Sequence, residues 1–205
     1  MFQWNINRDQ SLDRALELGQ RAVDLDDSLP AAHSLLSSVY LWRKQLDQAT
    51  VQAQRAIDLD ASTAAGYIDA NSAGGYDGLA TVLVFAGQPL EAVTLYEKAA
   101  RLDPRNRALY LNRLGFAYRA AGRCEQAVVP LREAITLTPG NELPHIFLAG
   151  CYAELGRMNE AQAEVAEVMR LNPTYSLEWA SRNVPYEGPE DRERFFAAQR
   201  KAGFK

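Results

Sequence analysis

The feature that most constrains this chain is a recurring alanine. Ala15, Ala49, Ala92, Ala127 and Ala161 are separated by 34, 43, 35 and 34 residues. Around each the same chemistry returns: RALELGQRAVDLD, QATVQAQRAIDLD, EAVTLYEKAARLDP, QAVVPLREAITLTP and EAQAEVAEVMRLNP. A period near 34 is long enough for one pair of helices, and so small a unit cannot bury its apolar face alone. The chain must therefore stack like units against one another.

Upstream of the last four alanines lies a matching first helix, read as Leu36-Ser37-Ser38-Val39-Tyr40, Leu79-Ala80, Leu114-Gly115-Phe116-Ala117-Tyr118 and Leu148-Ala149-Gly150-Cys151-Tyr152. The order is large, small, aromatic. The small residue lets two antiparallel backbones approach, and the large ones fill the space one turn away. Ala86-Gly87, Ala121-Gly122 and Leu155-Gly156 end first helices on the glycine that a left-handed cap prefers. Pro104, Pro139 and Pro173 stop the second helices.

This Leu-small-aromatic, Gly, Ala, Ala, Pro pattern resembles the tetratricopeptide repeat, fully at residues 108–141 and 142–175. The resemblance implies an all-α fold: a right-handed superhelix of antiparallel helical hairpins. The expected organisation is a solenoid over residues 1–188, with a half repeat at 1–29, repeats at 30–63, 73–106, 108–141 and 142–175, and a capping helix at 189–205. The repeat at 30–63 departs from the pattern, with Lys44 at the turn glycine and Ala61 at the closing proline. The first hairpin lacks most of its first helix, so the chain reads as a piece of a longer protein.

The 43-residue step carries nine residues more than the standard period, and Ala64-Ala65-Gly66-Tyr67 is echoed by Ala73-Gly74-Gly75-Tyr76. A short tandem duplication explains both, and its glycines and small polar residues suit a flexible loop, the insertion being placed at about 62–72. After Pro173 the repeat stops. Pro189 with Glu190 and Asp191 marks a helix start, Gly203 its end, and Phe195 and Phe196 supply apolar contacts for a terminal cap. The tail SLEW followed by VPYEGPEDRERFFAAQRKAGF, with SLDRALELGQRAVDLD and VYLWRKQLDQA earlier, is similar to the repeat region that follows the catalytic domain of many bacterial class III adenylate/guanylate cyclases. The similarity implies a regulatory or assembly module.

Composition excludes several classes. A net charge of −4 gives no electrostatic reason to approach nucleic acid or an anionic membrane. No apolar run is long enough to span a bilayer and no signal-peptide pattern opens the chain, so a cytoplasmic setting is expected. Two cysteines and two histidines assemble neither a disulfide framework nor a metal cluster, and no cofactor is expected. His33 and His145 sit at matching first-helix positions as packing residues, with no triad partner at a suitable spacing. The glycines of NSAGGYDGLA lack the Lys-Ser/Thr of a phosphate loop. Catalysis has no candidate constellation.

Binding does. The side of each first helix out of phase with its packing positions forms the expected inner face: Ser34, Ser38, Leu41 and Trp42; Asp77, Thr81, Val84 and Phe85; Asn112, Arg113, Phe116 and Arg119; Ile146, Phe147, Gly150 and Glu154. Ser38, Trp42, Phe85, Asn112, Arg113, Phe116, Arg119 and Phe147 are the residues expected to hold a protein or peptide partner, with the two arginines as a basic patch for a segment carrying acidic and apolar residues. Trp42, Phe85 and Phe147 serve equally as wedges between hairpins. Ser34 and Ser38 stand where carboxylate-clamping co-chaperones carry Lys and Asn, so that clamp is not implied. The alternative function is self-assembly through the unfinished N-terminal hairpin.

Overall fold

The structure, a computed structural model, describes residues 8–63, 71–186 and 188–205, and contains helices and no strand among them. Helix α1 (Arg8–Leu25) is followed by four hairpins: α2 (Pro30–Trp42) with α3 (Leu46–Thr63), α4 (Asn71–Phe85) with α5 (Pro89–Leu102), α6 (Arg107–Ala120) with α7 (Cys124–Leu137), and α8 (Glu142–Glu154) with α9 (Met158–Leu171). A C-terminal segment adds α10 (Leu177–Asn183) and α11 (Pro189–Ala202). From α1 to α9 each helix packs on the next, and first helices also meet first helices: α2 with α4, α4 with α6, and α6 with α8. The first helices thus form an inner layer, and the second helices lie outside it.

Small residues set these contacts. Ala49, Ala92, Ala127 and Ala161 are wholly buried, as are Ser37, Ala80 and Ala149 on the first helices. At the equivalent place in α6, a methyl on Gly115 would come within 2.3 Å of Leu131, so only hydrogen fits. Tyr96, Tyr152, Leu131 and Leu148 fill the interior around them. Burying each such side chain contributes about 1.5–3 kcal/mol. His33 and His145 link their hairpins by the same device, Nδ1 meeting Gln52 at 2.7 Å and Glu164 at 2.6 Å, each partner nineteen residues on. Cys124 and Cys151 are buried thiols, with Cys124 donating to Glu154 at 3.0 Å.

The four hairpin turns share one geometry. Gln45, Gln88, Arg123 and Arg157 each donate a backbone N–H to the carbonyl five residues back, at 2.8–2.9 Å. Gly87, Gly122 and Gly156 precede the last three in the left-handed conformation (φ 80°, 72° and 75°), and Lys44 takes it in the first at φ 60°. At the other end of each hairpin, α5, α7 and α9 are each 14 residues long and stop before their prolines, whereas α3, which has Ala61 there, runs to 18. Nothing breaks that helix where proline breaks the others.

Residues 64–70, the centre of the expected flexible loop, lie outside the described residues. Its flanks are helical rather than looped, because α3 runs through Thr63 and α4 begins at Asn71. Gly75 serves packing: a methyl there would sit 3.1 Å from Ile57 Cγ1 and 3.4 Å from its backbone nitrogen.

The C-terminal segment does more than cover an end. Helix α11 opens at Gly188-Pro189, closes on Gly203 (φ 115°), and turns Arg192, Glu193, Arg200 and Lys201 to solvent. Its inner side lies along α8, where Gln199 donates to the Ile146 carbonyl at 3.0 Å. Ahead of it, α10 reaches back across the first helices to the far end of the stack. There Arg8 donates to the side chain and the carbonyl of Asn183, and also to the carbonyl of Trp42.

Candidate functional site

The inner layer and the C-terminal segment enclose a cavity of about 290 Å³. One wall is built from successive first helices: Ser37, Ser38, Leu41 and Trp42 from α2, Asp77, Thr81 and Phe85 from α4, Asn112, Arg113 and Phe116 from α6, and Ile146 and Phe147 from α8. The opposite wall is Tyr175 with Trp179, Ala180, Asn183 and Val184 of the α10 region, closed by Phe195 of α11.

An aromatic ladder crosses the first wall. Trp42 meets Phe85 at 6.5 Å between ring centroids, Phe85 meets Phe116 at 5.4 Å, and Phe116 stacks on Phe147 at 4.9 Å. Tyr186 sits edge-on to Phe85 at 5.0 Å and continues the aromatic surface to Phe195. Phe85 and Phe116 are buried wedges in the stack, while Trp42 keeps 41% of its surface open toward the groove. Phe85 thus acts as a wedge between hairpins, and Trp42 leaves surface open.

Polar groups gather at one stretch of the wall. Arg113 Nε lies 3.3 Å from Asp77 Oδ1, an ion pair that leaves this patch without net charge. Burial pushes the Asp77 carboxyl up, and Arg113 partly offsets it. Thr81 and Tyr96 share a hydrogen bond at 3.0 Å behind them. Asn112 is only 4% exposed, yet its Oδ1 has no hydrogen-bond partner, and Ser37 Oγ is in the same position.

Seven of the eight expected partner-binding residues line this one cavity. Arg119 does not. Its guanidinium lies 4.1 Å over the Phe195 ring and donates to the Phe195 carbonyl at 3.2 Å, leaving the residue only 3% exposed. Gly150, read from the sequence as groove surface, makes room for it: a methyl there would fall 2.4 Å from Arg119 Nη2. Val84, Glu154 and Arg119 instead border a narrow cleft that Tyr186, Asp191, Arg194 and Phe195 seal. The expected basic patch is absent from the groove for two physical reasons: Arg113 is neutralised by Asp77, and Arg119 is consumed in anchoring α11. The wall contributed by the C-terminal segment was not foreseen. Its signal was the apolar series Leu177, Trp179, Ala180, Val184 and Tyr186, which a cap on the last hairpin alone does not require. Among the described residues no group of His, Cys, Asp and Glu is placed to hold a metal ion, and no helix is long and apolar enough to cross a membrane.

With this geometry in view, residues 118–181 match the tetratricopeptide repeat family. Solved structures of similar fold include TTC0263, a thermophilic TPR protein of Thermus thermophilus (TM-score 0.64, 22% identity, covering 91% of this chain and 90% of that one). YrrB, a TPR protein with an unusual peptide-binding site, matches with a TM-score of 0.57 and 22% identity, covering 90% of each chain. The fold is a tetratricopeptide-repeat solenoid. Among curated proteins, the TPR repeat-containing thioredoxin TTL4 of Arabidopsis thaliana is 37% identical over 81 residues, which is 40% of this chain and 12% of that protein's length.

Proposed function

We propose that this chain is a protein-interaction module that holds a segment of a partner protein in the groove between its first helices and its C-terminal segment. The observation that carries the reading is the convergence of Trp42, Phe85, Phe116 and Phe147, from four successive hairpins, on one cavity beside partnerless buried polar atoms. Aromatic surface left open beside such groups is what an interface uses for anchoring. The peptide-binding site named for YrrB, a protein of the same fold, supports the same reading. A display library of random peptides selected on the intact chain tests it. Selected peptides are expected to lose binding on Trp42→Ala and to keep it on Val129→Ala, which alters an exposed residue of α7. Peptides indifferent to Trp42→Ala would place the site elsewhere.

The finer setting we infer is a regulatory or assembly part of a larger bacterial, cytoplasmic signalling protein of cyclase type. It rests on the motifs of the tail, of α1 and of the α2–α3 hairpin alone. A second reading, self-association through α1, is favoured by one observation: Gly19 is the only buried residue of that helix, and Leu18 and Leu25 are 47% and 80% exposed. Mass in solution that rises with protein concentration, and falls back on Leu25→Glu, would support it.

A further inference from the structure

We propose that the cavity between the first helices and the C-terminal segment binds a small, flat, uncharged molecule of about two rings, whether or not a partner protein also uses the groove. Two apolar walls face each other here across a gap. Trp179, Ala180 and Val184 line one side, and Trp42, Phe116 and Phe147 are on the other. What holds the walls apart is itself packed: Tyr186, just past α10, is buried with its ring 5.0 Å from Phe85 and 5.6 Å from Phe195, and before α10 Tyr175 meets Phe204 at 5.1 Å. Helix α10 packs chiefly on α11. Its ties run to the C-terminal segment, from Leu177 N–H to the Lys205 carbonyl at 2.8 Å and from Arg192 to the Ser181 carbonyl at 3.0 Å, and to the solenoid through Arg8. Protein interiors do not ordinarily leave apolar walls unfilled, and an occupant would supply contact between α10 and the first helices. The cavity of about 290 Å³ is nearly twice the roughly 150 Å³ of an apolar cavity that takes up one benzene, so two rings have room.

The chemistry of the walls sets the class. Ser37 Oγ, Asn112 Oδ1 and Arg113 Nε lie beneath the surface, out of an occupant's reach. The hydroxyls of Ser38 and Thr81 are committed to the Ser34 and Asp77 carbonyls, at 3.1 and 2.8 Å. What the cavity presents is therefore mainly ring and aliphatic carbon. The charged groups on its wall are Asp77 and Arg113, paired at 3.3 Å. A carboxylate or ammonium brought here would leave its hydration behind and gain a counter-ion only by parting that pair. Flatness follows from the walls too. Trp42, Phe116 and Phe147 face Trp179 across the gap, and rings meeting rings offset or edge-on gain more than contact area alone. A flexible chain of equal volume loses rotamer freedom on entry, whereas a fused ring system has none to lose.

The test uses the intact chain with 2-naphthol, and with 2-naphthoate, which has the same rings and a charge. Naphthol is expected to shift the NMR signals of the Trp42 and Trp179 indoles together and saturably. At about ten times its dissociation constant it should slow amide exchange in α10 about tenfold, because it bridges the two walls. Naphthoate should bind at least about tenfold more weakly. Ser38→Phe, which sets a ring into the cavity from an exposed position, should weaken naphthol about tenfold without lowering the melting temperature. Should that chain not fold, Trp179→Ala, on the opposite wall, is expected to weaken naphthol by a similar factor. Absence of a saturable shift up to the solubility of naphthol, naphthoate binding equally well, or affinity unchanged in the folded variants overturns the proposal. Display peptides lost on Trp42→Ala while naphthol does not bind overturn it and leave the interaction reading standing. Naphthol binding with no groove-dependent peptide supports it and removes that reading.

Discussion

Lys44 holds φ 60° where the other three hairpins turn on glycine, and it does so with the same backbone hydrogen bonds around it. A side chain in that conformation costs about 1–2 kcal/mol, part of which glycine returns through its greater freedom when unfolded. Lys44→Gly is therefore expected to raise stability by about 0.5–1 kcal/mol, seen as a higher denaturant midpoint at unchanged slope. Two tyrosines, Tyr110 buried and Tyr175 half-buried, bear on the alkaline limit. Burial pushes the Tyr175 and Tyr110 hydroxyls up to about 12, with Asp77 and Asp103 adding to the effect at Tyr110. Because unfolded tyrosine ionises near about 10, the folded chain keeps these protons longer. Their contribution is complete below about pH 10 and is lost as pH rises toward 12. Melting temperature is expected to hold up to that lower limit and then fall together with the appearance of tyrosinate absorbance. Tyr175→Phe should move the fall to higher pH.

Among the elements, α11 depends most visibly on single contacts with the solenoid. Arg119 joins it to α6 through the Phe195 carbonyl and ring. Arg119→Leu is expected to cost about 1.5–3 kcal/mol, and to speed amide exchange in α11 while leaving α9 protected. Equal protection of α11 in both forms would show that other contacts hold it. The hairpins themselves were legible in the sequence because their signals are local: a glycine or proline acts within a turn, and the buried alanines recur at the repeat period. The first-helix wall was legible for the same reason, since helical phase alone places Ser38, Trp42, Phe85, Asn112, Arg113, Phe116 and Phe147. Arg119 shares that phase but was misread, because what covers it comes from Phe195, distant in sequence. The span of α10 to Arg8, from residue 183 back to residue 8, likewise has no periodic signature.

At the scale of the molecule, the inner surface is a walled cavity and not an open trough, because the chain's own C-terminal segment supplies the second wall. Nearest-neighbour packing builds the stack, and the contact between α10 and Arg8 then ties its two ends. The second wall of the groove exists only through that closure. The most direct test joins the ends chemically. With Arg8→Cys and Asn183→Cys in one chain, and the native Cys124 and Cys151 buried, a short bismaleimide should link the two introduced thiols within a single molecule at a rate independent of protein concentration. A link that forms only between molecules, or none at all, would mean that the C-terminal segment does not cross the groove.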